Sequence, residues 1–472
     1  MIDLSYQAVM GRKNEIMKKA VGLDYSVFEY GKLSFDYEGM MEKVAYSIPE
    51  MQKIQYETKV GNTSLFELKN INKLIKKYAQ KGKGARIFIK DEAANASGSF
   101  KARRASISVY HAKKMGYKGV IAATSGNYGA AVASQAAQRG LKCIIVQEVF
   151  DSRKIGQPEI LEKARKCEAF GAEVVQLTVG PELFYMFLRL LEETGYFNAS
   201  LYTPFGIAGV ETLGYEVANQ MKDMEGRYPD VVIATHAGGG NLTGTARGLI
   251  KAGAEDTKVI GASVDLTGLH MASDRDFNRK SFTTGHTGFG VPFATWPDRS
   301  DVPRNAARVL RYMDRYVTVT QGDVFYVTEM LAQLEGIERG PAGNTSLAAA
   351  IALAKEMDED KIIVVQETEY TGAGKHPMPQ LTFAKQNGIE VRRGNSIENI
   401  PGKNVVIPEN IGQITAKDFD MNRLRHSYIK NAVENKKLTE VTMEDVKFLA
   451  EDTKLAKEEV IEALKELKVA ID

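Results

Sequence analysis

The sequence predicts an α/β protein of two domains, each a parallel-type sheet covered by helices, with an N-terminal extension and a C-terminal helical appendage. Three observations predict it. Short apolar runs alternate with segments of helical period from about residue 60 to 385, the pattern of βαβ units. The runs are apolar on both faces and bounded by glycine, as fully covered parallel strands are. They also fall into two series, which points to two sheets with a cleft between them.

Taken in order, residues 1–58 are mixed and partly helical, with no strong strand. The first series of strands is "RIFIK" (86–90), "KGVIAATS" (118–125), "KCIIVQE" (142–148) and "AEVVQLT" (172–178), with helices expected at 101–115, 129–139 and 157–170. The second is "DVVIATHAGGG" (230–240), "KVIGASV" (258–264), "RYVTVT" (315–320) and "KIIVVQE" (361–367), with helices at 243–252, 322–335 and 344–357. Residues 395–472 turn amphipathic and highly charged. There Thr442 with Asp445 three residues later reads as an N-cap close to a capping box.

Composition narrows the function. The chain has 472 residues, enough for two domains, and 44% are hydrophobic, enough for a sizeable core. Lys and Arg number 62 against 60 Asp and Glu, a formal net charge of +2, so a nucleic-acid partner is not expected. The N-terminus lacks the apolar block of a signal peptide, and no apolar run is long enough for a membrane span. Cys143 and Cys167 cannot make a disulfide framework, and the six histidines do not pair at metal-ligand spacing. The expectation is a cytoplasmic protein with no metal.

The chemistry concentrates where strands end. "NASGSFKARR" (95–104) runs small residues up to Lys101, which opens a helix. A macrodipole disfavours a cation there, so Lys101 is either an ordinary solvated lysine or one bonded to something. "ATSGNYGAA" (123–131) ends a strand in a tight turn whose N–H groups can hold a carboxylate, with Asn127 adding an amide. Alone it is a common strand-to-helix turn. "HAGGGNLTGTARG" (236–248) places three glycines between a strand and a helix, a cradle for a phosphate. It has neither P-loop nor dinucleotide spacing, so a monophosphate fits best. His236 beside it reads as a packing residue rather than a catalyst. "VVQETEYTGAG" (364–374) offers Thr368, whose hydroxyl reaches either the cleft or only a surface turn. A lysine at a helix start, an asparagine loop, a phosphate cradle and a late hydroxyl together are the parts of a pyridoxal-phosphate site.

The motifs "VGNTSLFEL" (60–68), "SGSFKARR" (97–104), "TSGNYGAAVA" (124–133), "GGGNLTG" (238–244) and "GPAGNTSLAAA" (340–350) occur in the order found in fold-type II pyridoxal-phosphate enzymes, which the chain resembles over roughly 60–385. That family includes threonine dehydratase, threonine synthase, cysteine synthase and the tryptophan synthase β chain. The resemblance implies that Lys101 is the Schiff-base lysine and that Asn127 contacts the cofactor. It implies that Thr124, Ser125, Gly126, Asn127 and Tyr128 clamp the substrate carboxylate. Gly238, Gly239, Gly240, Asn241 and Leu242 would hold the phosphate, and Thr368 would face the ring nitrogen. It also implies a large cofactor domain of 59–104 and 213–394, a small domain of 105–212, and appendages at 1–58 and 395–472.

Many relatives carry Glu-Pro where this chain has Gly340-Pro341. That loss removes a candidate acid/base group and weakens the case for ordinary β-elimination. With both ends included, the chain resembles the β subunits of the thiolases that split 2-amino-4-oxopentanoate with coenzyme A into acetyl-CoA and alanine in anaerobic ornithine degradation. The resemblance implies a small α subunit as partner, and a homodimer of β subunits within a hetero-oligomer. The competing readings are an amino-acid ammonia-lyase or β-replacement enzyme of the same fold, and a non-catalytic cofactor-binding scaffold subunit. An intact Lys101 speaks against the last.

Overall fold

The computed structural model describes residues 3–124, 126–267, 275–283, 294–299, 301–370 and 377–472. Its strands run β1 Leu65–Glu67, β2 Arg86–Asp91, β3 Gly119–Thr124, β4 Lys142–Phe150, β5 Glu173–Thr178, β6 Phe197–Asn198, β7 Val231–Thr235, β8 Lys258–Val264, β9 Arg315–Val319, β10 Ile362–Glu367, β11 Glu390–Arg393, β12 Asn404–Ile407, β13 Lys417–Asp418, β14 Glu440–Val441 and β15 Ala470–Ile471. Among the described residues, seven form one sheet in the order β1-β2-β10-β7-β8-β9-β13, and four form another in the order β5-β4-β3-β6.

All eight runs expected from the sequence are strands, and all pair in parallel. In the large sheet Ile362 pairs with Arg86, Ile363 with Val231, Val231 with Lys258 and Ile260 with Arg315. In the small one Gly119 pairs with Lys142 and Ile144 with Glu173. Only the edges of the large sheet are antiparallel, where β1 meets β2 and β13 meets β9. β7 and β10 are buried on both faces, which is why their sequences are continuous apolar runs rather than alternating ones.

A long helix that the sequence reading missed, Pro204–Glu225, packs against helices Lys101–Lys114 and Gly240–Lys251. Thr203 caps it, its hydroxyl accepting from Gly206 N at 3.2 Å, and Pro204 occupies its first turn. Two of its glycines serve contact. A β-carbon at Gly209 would meet the carbonyl oxygen of Arg103 at 2.2 Å, and one at Gly214 that of Thr245 at 2.0 Å. Only glycine lets this helix touch the backbones of helices Lys101–Lys114 and Gly240–Lys251. The expected crossing points at 104/105 and 212/213 therefore fall inside continuous helices, not in linkers.

Both ends of the chain pack onto this frame. Residues 1–58 form short helices, and Tyr37 donates its hydroxyl to Ala306 O at 2.9 Å. The tail carries helices Met421–Asn435, Met443–Thr453 and Lys457–Glu466, and it also supplies β13 to the large sheet. The capping box at Thr442 is present. Its Asp445 also accepts from Leu33 N at 2.6 Å and Ser34 N at 2.8 Å, which ties tail to N-terminal extension.

Candidate functional site: a cleft at the carboxyl ends of both sheets

The carboxyl ends of β3, β7 and β10 and the start of the helix after β2 converge on one cavity of about 160 Å³. Crevices at strand carboxyl ends are where open α/β sheets place ligands. Lys101, Thr124, Gly126, Asn127, Tyr128, Gly238, Gly239, Gly240, Asn241 and Thr368 all line it. Ser125 lies outside the described residues. Leu242 does not line the cavity; its side chain is fully buried in the core against Gly261.

Lys101 begins helix Lys101–Lys114 and is half-buried, its ammonium 5.3 Å from the centre of the Phe100 ring. Burial, with Lys163 nearby, lowers its pKa to about 8. A site that lowers a lysine's pKa this far suits an amine that must react in neutral form. Three residues on, and so on the same side of the helix, Arg104 is 3% exposed and also lines the cavity.

The glycine loop is a turn that tolerates no side chains. Gly239 has φ of 84°, the left-handed region. A β-carbon on Gly238 would lie 1.9 Å from the Tyr202 hydroxyl, and one on Gly240 would lie 1.4 Å from Arg104 Nη2. Helix Gly240–Lys251 starts here, three residues before the expected position, so its free N–H groups belong to the loop itself. Asn241 Nδ2 is buried with no hydrogen-bond partner among the described residues.

The second loop has the opposite bonding. Thr124 Oγ1 accepts from Gly126 N at 3.0 Å and Gly129 N at 3.1 Å, so its hydroxyl shapes the turn. Helix Asn127–Arg139 begins immediately after, leaving the N–H groups of Asn127 and Tyr128 without intrahelical acceptors. Tyr128 is buried and donates to Ala199 O at 2.6 Å, which makes it a wall of the cleft. Asn127 Nδ2 donates to Glu369 Oε2 at 3.1 Å.

Four further groups were not legible as site residues. Glu369 is buried and also accepts from Ala342 N at 3.3 Å, at the start of helix Pro341–Ala354. A carboxylate thus stands beside this helix start although position 340 has none. Lys163 lines the cavity, ion-paired with Glu159 one turn earlier on helix Pro158–Ala169. Burial would lower the Lys163 pKa, but Glu159 and Glu369 outweigh it and raise it. Burial pushes the Glu159 carboxyl up to about 7, against the pull of Lys163. The signal for Arg104 was its spacing from Lys101. Lys163, Glu159 and Glu369 had none, since charges in an amphipathic helix or at a strand end usually face water. His236 packs its ring edge-on against Tyr316 at 5.1 Å, and its backbone N–H donates to Ala262 O at 2.7 Å, a packing role at the cavity wall.

Comparison with known proteins bears on what this cleft holds. The family model described as "Pyridoxal-phosphate dependent enzyme" matches residues 56–369. A "2-amino-4-ketopentanoate thiolase beta subunit" of an unknown prokaryotic organism is 69% identical over 469 residues, covering 99% of each chain. One of Acetoanaerobium sticklandii is 69% identical over 466 residues, again 99% of each. A solved pyridoxal 5'-phosphate-dependent aspartate racemase shares the fold, with TM-score 0.54 at 18% identity over 70% of this chain and 98% of its own.

Proposed function

Because the chain belongs to the pyridoxal-phosphate-dependent enzymes, we propose that it is the catalytic β subunit of a thiolase that splits 2-amino-4-oxopentanoate (2-amino-4-ketopentanoate) with coenzyme A into acetyl-CoA and alanine, in ornithine degradation. The carrying observation is 69% identity over 99% of the chain to two such β subunits.

The residues fit the cofactor. A cradle that any β-carbon would fill opens at a helix N-terminus, and buried donors with no protein partner among the described residues point into it. In this reading Lys101 bonds the cofactor, Asn127 reaches it, Gly238–Asn241 hold its phosphate and Thr368 faces its ring nitrogen. Leu242 would contribute only backbone. Bound pyridoxal phosphate supplies the electron sink that acidifies the Cα–H of an amino acid held through its amine.

The chain's own groups do the rest. The N–H groups of Asn127 and Tyr128 bind the substrate carboxylate, fixing which bond to Cα faces Lys101. Freed by the incoming amine, Lys101 takes the proton from Cα; its pKa of about 8 suits a base working near neutral pH. Below that pH it is increasingly protonated, so activity rises with pH up to about 8. The thiol sulfur of coenzyme A bonds to C4 as the C3–C4 bond breaks, and C3 takes a proton to become the methyl of alanine. Lys101 returns a proton to Cα.

The β-subunit relatives imply a partner subunit, which we take to be a small α subunit, with two β subunits pairing inside the assembly. Cytoplasmic residence agrees with two buried, unbridged thiols, Cys143 and Cys167. Among the described residues no helix is long and apolar enough to cross a membrane. The test is an assay of the chain with and without its α subunit and with and without coenzyme A. Acetyl-CoA and alanine in equal amounts, only when coenzyme A is present, are expected. Ammonia release without coenzyme A would instead identify a lyase, and no turnover under any condition a scaffold.

A further inference from the structure

The cleft contains one buried cation that the protein leaves unanswered. Arg104 is 3% exposed, and its Nε and Nη2 meet no hydrogen-bond partner among the described residues. Its Nη2 lies against Gly240, close enough that a β-carbon there would sit 1.4 Å away. Gly240 is the first residue of a twelve-residue helix, so the guanidinium and the positive end of a helix dipole face the same buried point. Two such charges removed from water repel, and each costs free energy when unpaired.

The surrounding groups do not cancel this. The Phe100 ring is 5.9 Å from the guanidinium carbon. The hydroxyl of Tyr128 is already given to Ala199 O. Glu159 is bound to Lys163, and Glu369 accepts from Asn127 Nδ2 and Ala342 N. Burial lowers the Arg104 pKa with only Tyr202 and Tyr128 opposing it. Asn241 Nδ2, also unpartnered, opens from the same helix start. What this point lacks is an anion with several acceptor oxygens.

We propose that Arg104 is a cofactor-binding residue that pairs with the phosphate of pyridoxal phosphate, adding a charged partner to the backbone donors of Gly238–Gly240. The proposal rests on the cofactor reading above. A phosphate rather than the substrate carboxylate is assigned because Arg104 touches the glycine loop, whereas the carboxylate donors lie on Asn127 and Tyr128. Lys101 and Arg104 would then hold the aldehyde and the phosphate, which are borne on neighbouring ring carbons of the cofactor, from one helix face.

The test compares pyridoxal 5'-phosphate with pyridoxal, which has the aldehyde and no phosphate. Dissociation constants for both are measured on the apo form of the wild-type chain, R104M and R104K by absorbance, with thermal melting of each apo form. Loss of a charge-assisted bond should weaken pyridoxal phosphate about 10- to 100-fold in R104M, with pyridoxal changed less than about twofold. R104K should recover part of the loss. Apo R104M should melt no lower than the wild type, since a buried unpaired charge is gone, and inorganic phosphate should raise the melting temperature of wild type but not of R104M. Equal weakening of both ligands, or unchanged affinity for pyridoxal phosphate with a raised KM for the amino acid, would overturn the assignment. If R104M does not fold, R104K binding as tightly as wild type, with the same response to inorganic phosphate, would also overturn it. Wild type that binds neither ligand would instead refute the cofactor reading itself.

Discussion

Arg103 and Arg104 are neighbours in the chain and opposites in the fold. Both guanidiniums are buried. A helix turns consecutive residues about 100° apart, so one faces away from the cleft and the other into it. Arg103 donates to Glu92 Oε2 and Oε1 at 2.7 and 2.8 Å, to Glu216 Oε1 and Oε2 at 2.9 and 2.7 Å, and to Thr212 Oγ1 at 3.0 Å. Lys90 joins the same cluster, donating to Glu216 Oε2 at 2.8 Å and to Thr63 O at 2.7 Å. Two cations meet two carboxylates there. Pairing with Arg103 and Lys90 holds Glu92 and Glu216 below the usual carboxylate range in spite of burial. On the cleft side, Arg104 Nε and Nη2 have no hydrogen-bond partner among the described residues, and Lys101 has a depressed pKa. The difference separates two uses of buried charge. One cluster is closed and joins β2 to helix Pro204–Glu225; the other is left open to a ligand.

The comparison can be broken from either side. Lys101→Ala would remove the proposed bond to the cofactor and the proposed base at Cα. Turnover should fall by at least about 10²- to 10⁴-fold, and borohydride should no longer fix cofactor to the peptide containing residue 101. Glu92→Gln breaks the closed cluster by leaving Arg103 short of a carboxylate. We expect about 3–5 kcal/mol of destabilisation in denaturant melts, in apo and holo protein alike; a loss confined to the holo form would mean that this cluster, too, serves the ligand. Gly239→Asp sets a side chain at φ of 84° and 2.8 Å from Val309 Cβ, and adds negative charge to the cradle. Cofactor affinity should drop roughly 100-fold, or about 2.7 kcal/mol; wild-type affinity with a normal spectrum would rule out a role for the loop. Thr368→Ala is the mildest. It would remove the one hydrogen bond proposed to the ring nitrogen, about 0.5–1.5 kcal/mol, so absorbance and rate should shift while the melting temperature holds. An unchanged spectrum would move the role to another residue.

The strands and the glycine loop were legible because each is decided locally. Val231–Thr235 and Ile362–Glu367 are apolar runs too short for helices, and three glycines before a helix leave few other interpretations. Helix Pro204–Glu225 was not legible, because Gly209 and Gly214 mark contacts with distant backbone, which the local pattern does not show. β6 and β13 are two residues each and exist only through their neighbours. Around the cavity, Lys101 stood out by its place at a helix start and Asn127 by its amide in a strand-to-helix turn. Lys163, Glu159 and Glu369 are ordinary charged residues in sequence; only tertiary packing carries them out of water and against the cleft. Leu242 was grouped with the cradle by adjacency, but its side chain turns into the core.

The most direct test of the account is the hydrogen at Cα during thiolysis. The assembled enzyme converts 2-amino-4-oxopentanoate in deuterium oxide with coenzyme A, and the alanine is read by mass spectrometry and proton NMR. If Lys101 removes and returns the Cα proton while C3 is protonated after C3–C4 cleavage, alanine carries solvent deuterium at both Cα and the methyl carbon. Unreacted substrate incubated without coenzyme A should also exchange at Cα, and should not do so with Lys101→Ala. Alanine that keeps its original Cα hydrogen, from substrate that does not exchange in the absence of coenzyme A, would contradict the account and leave the amine merely anchored while the ketone is cleaved.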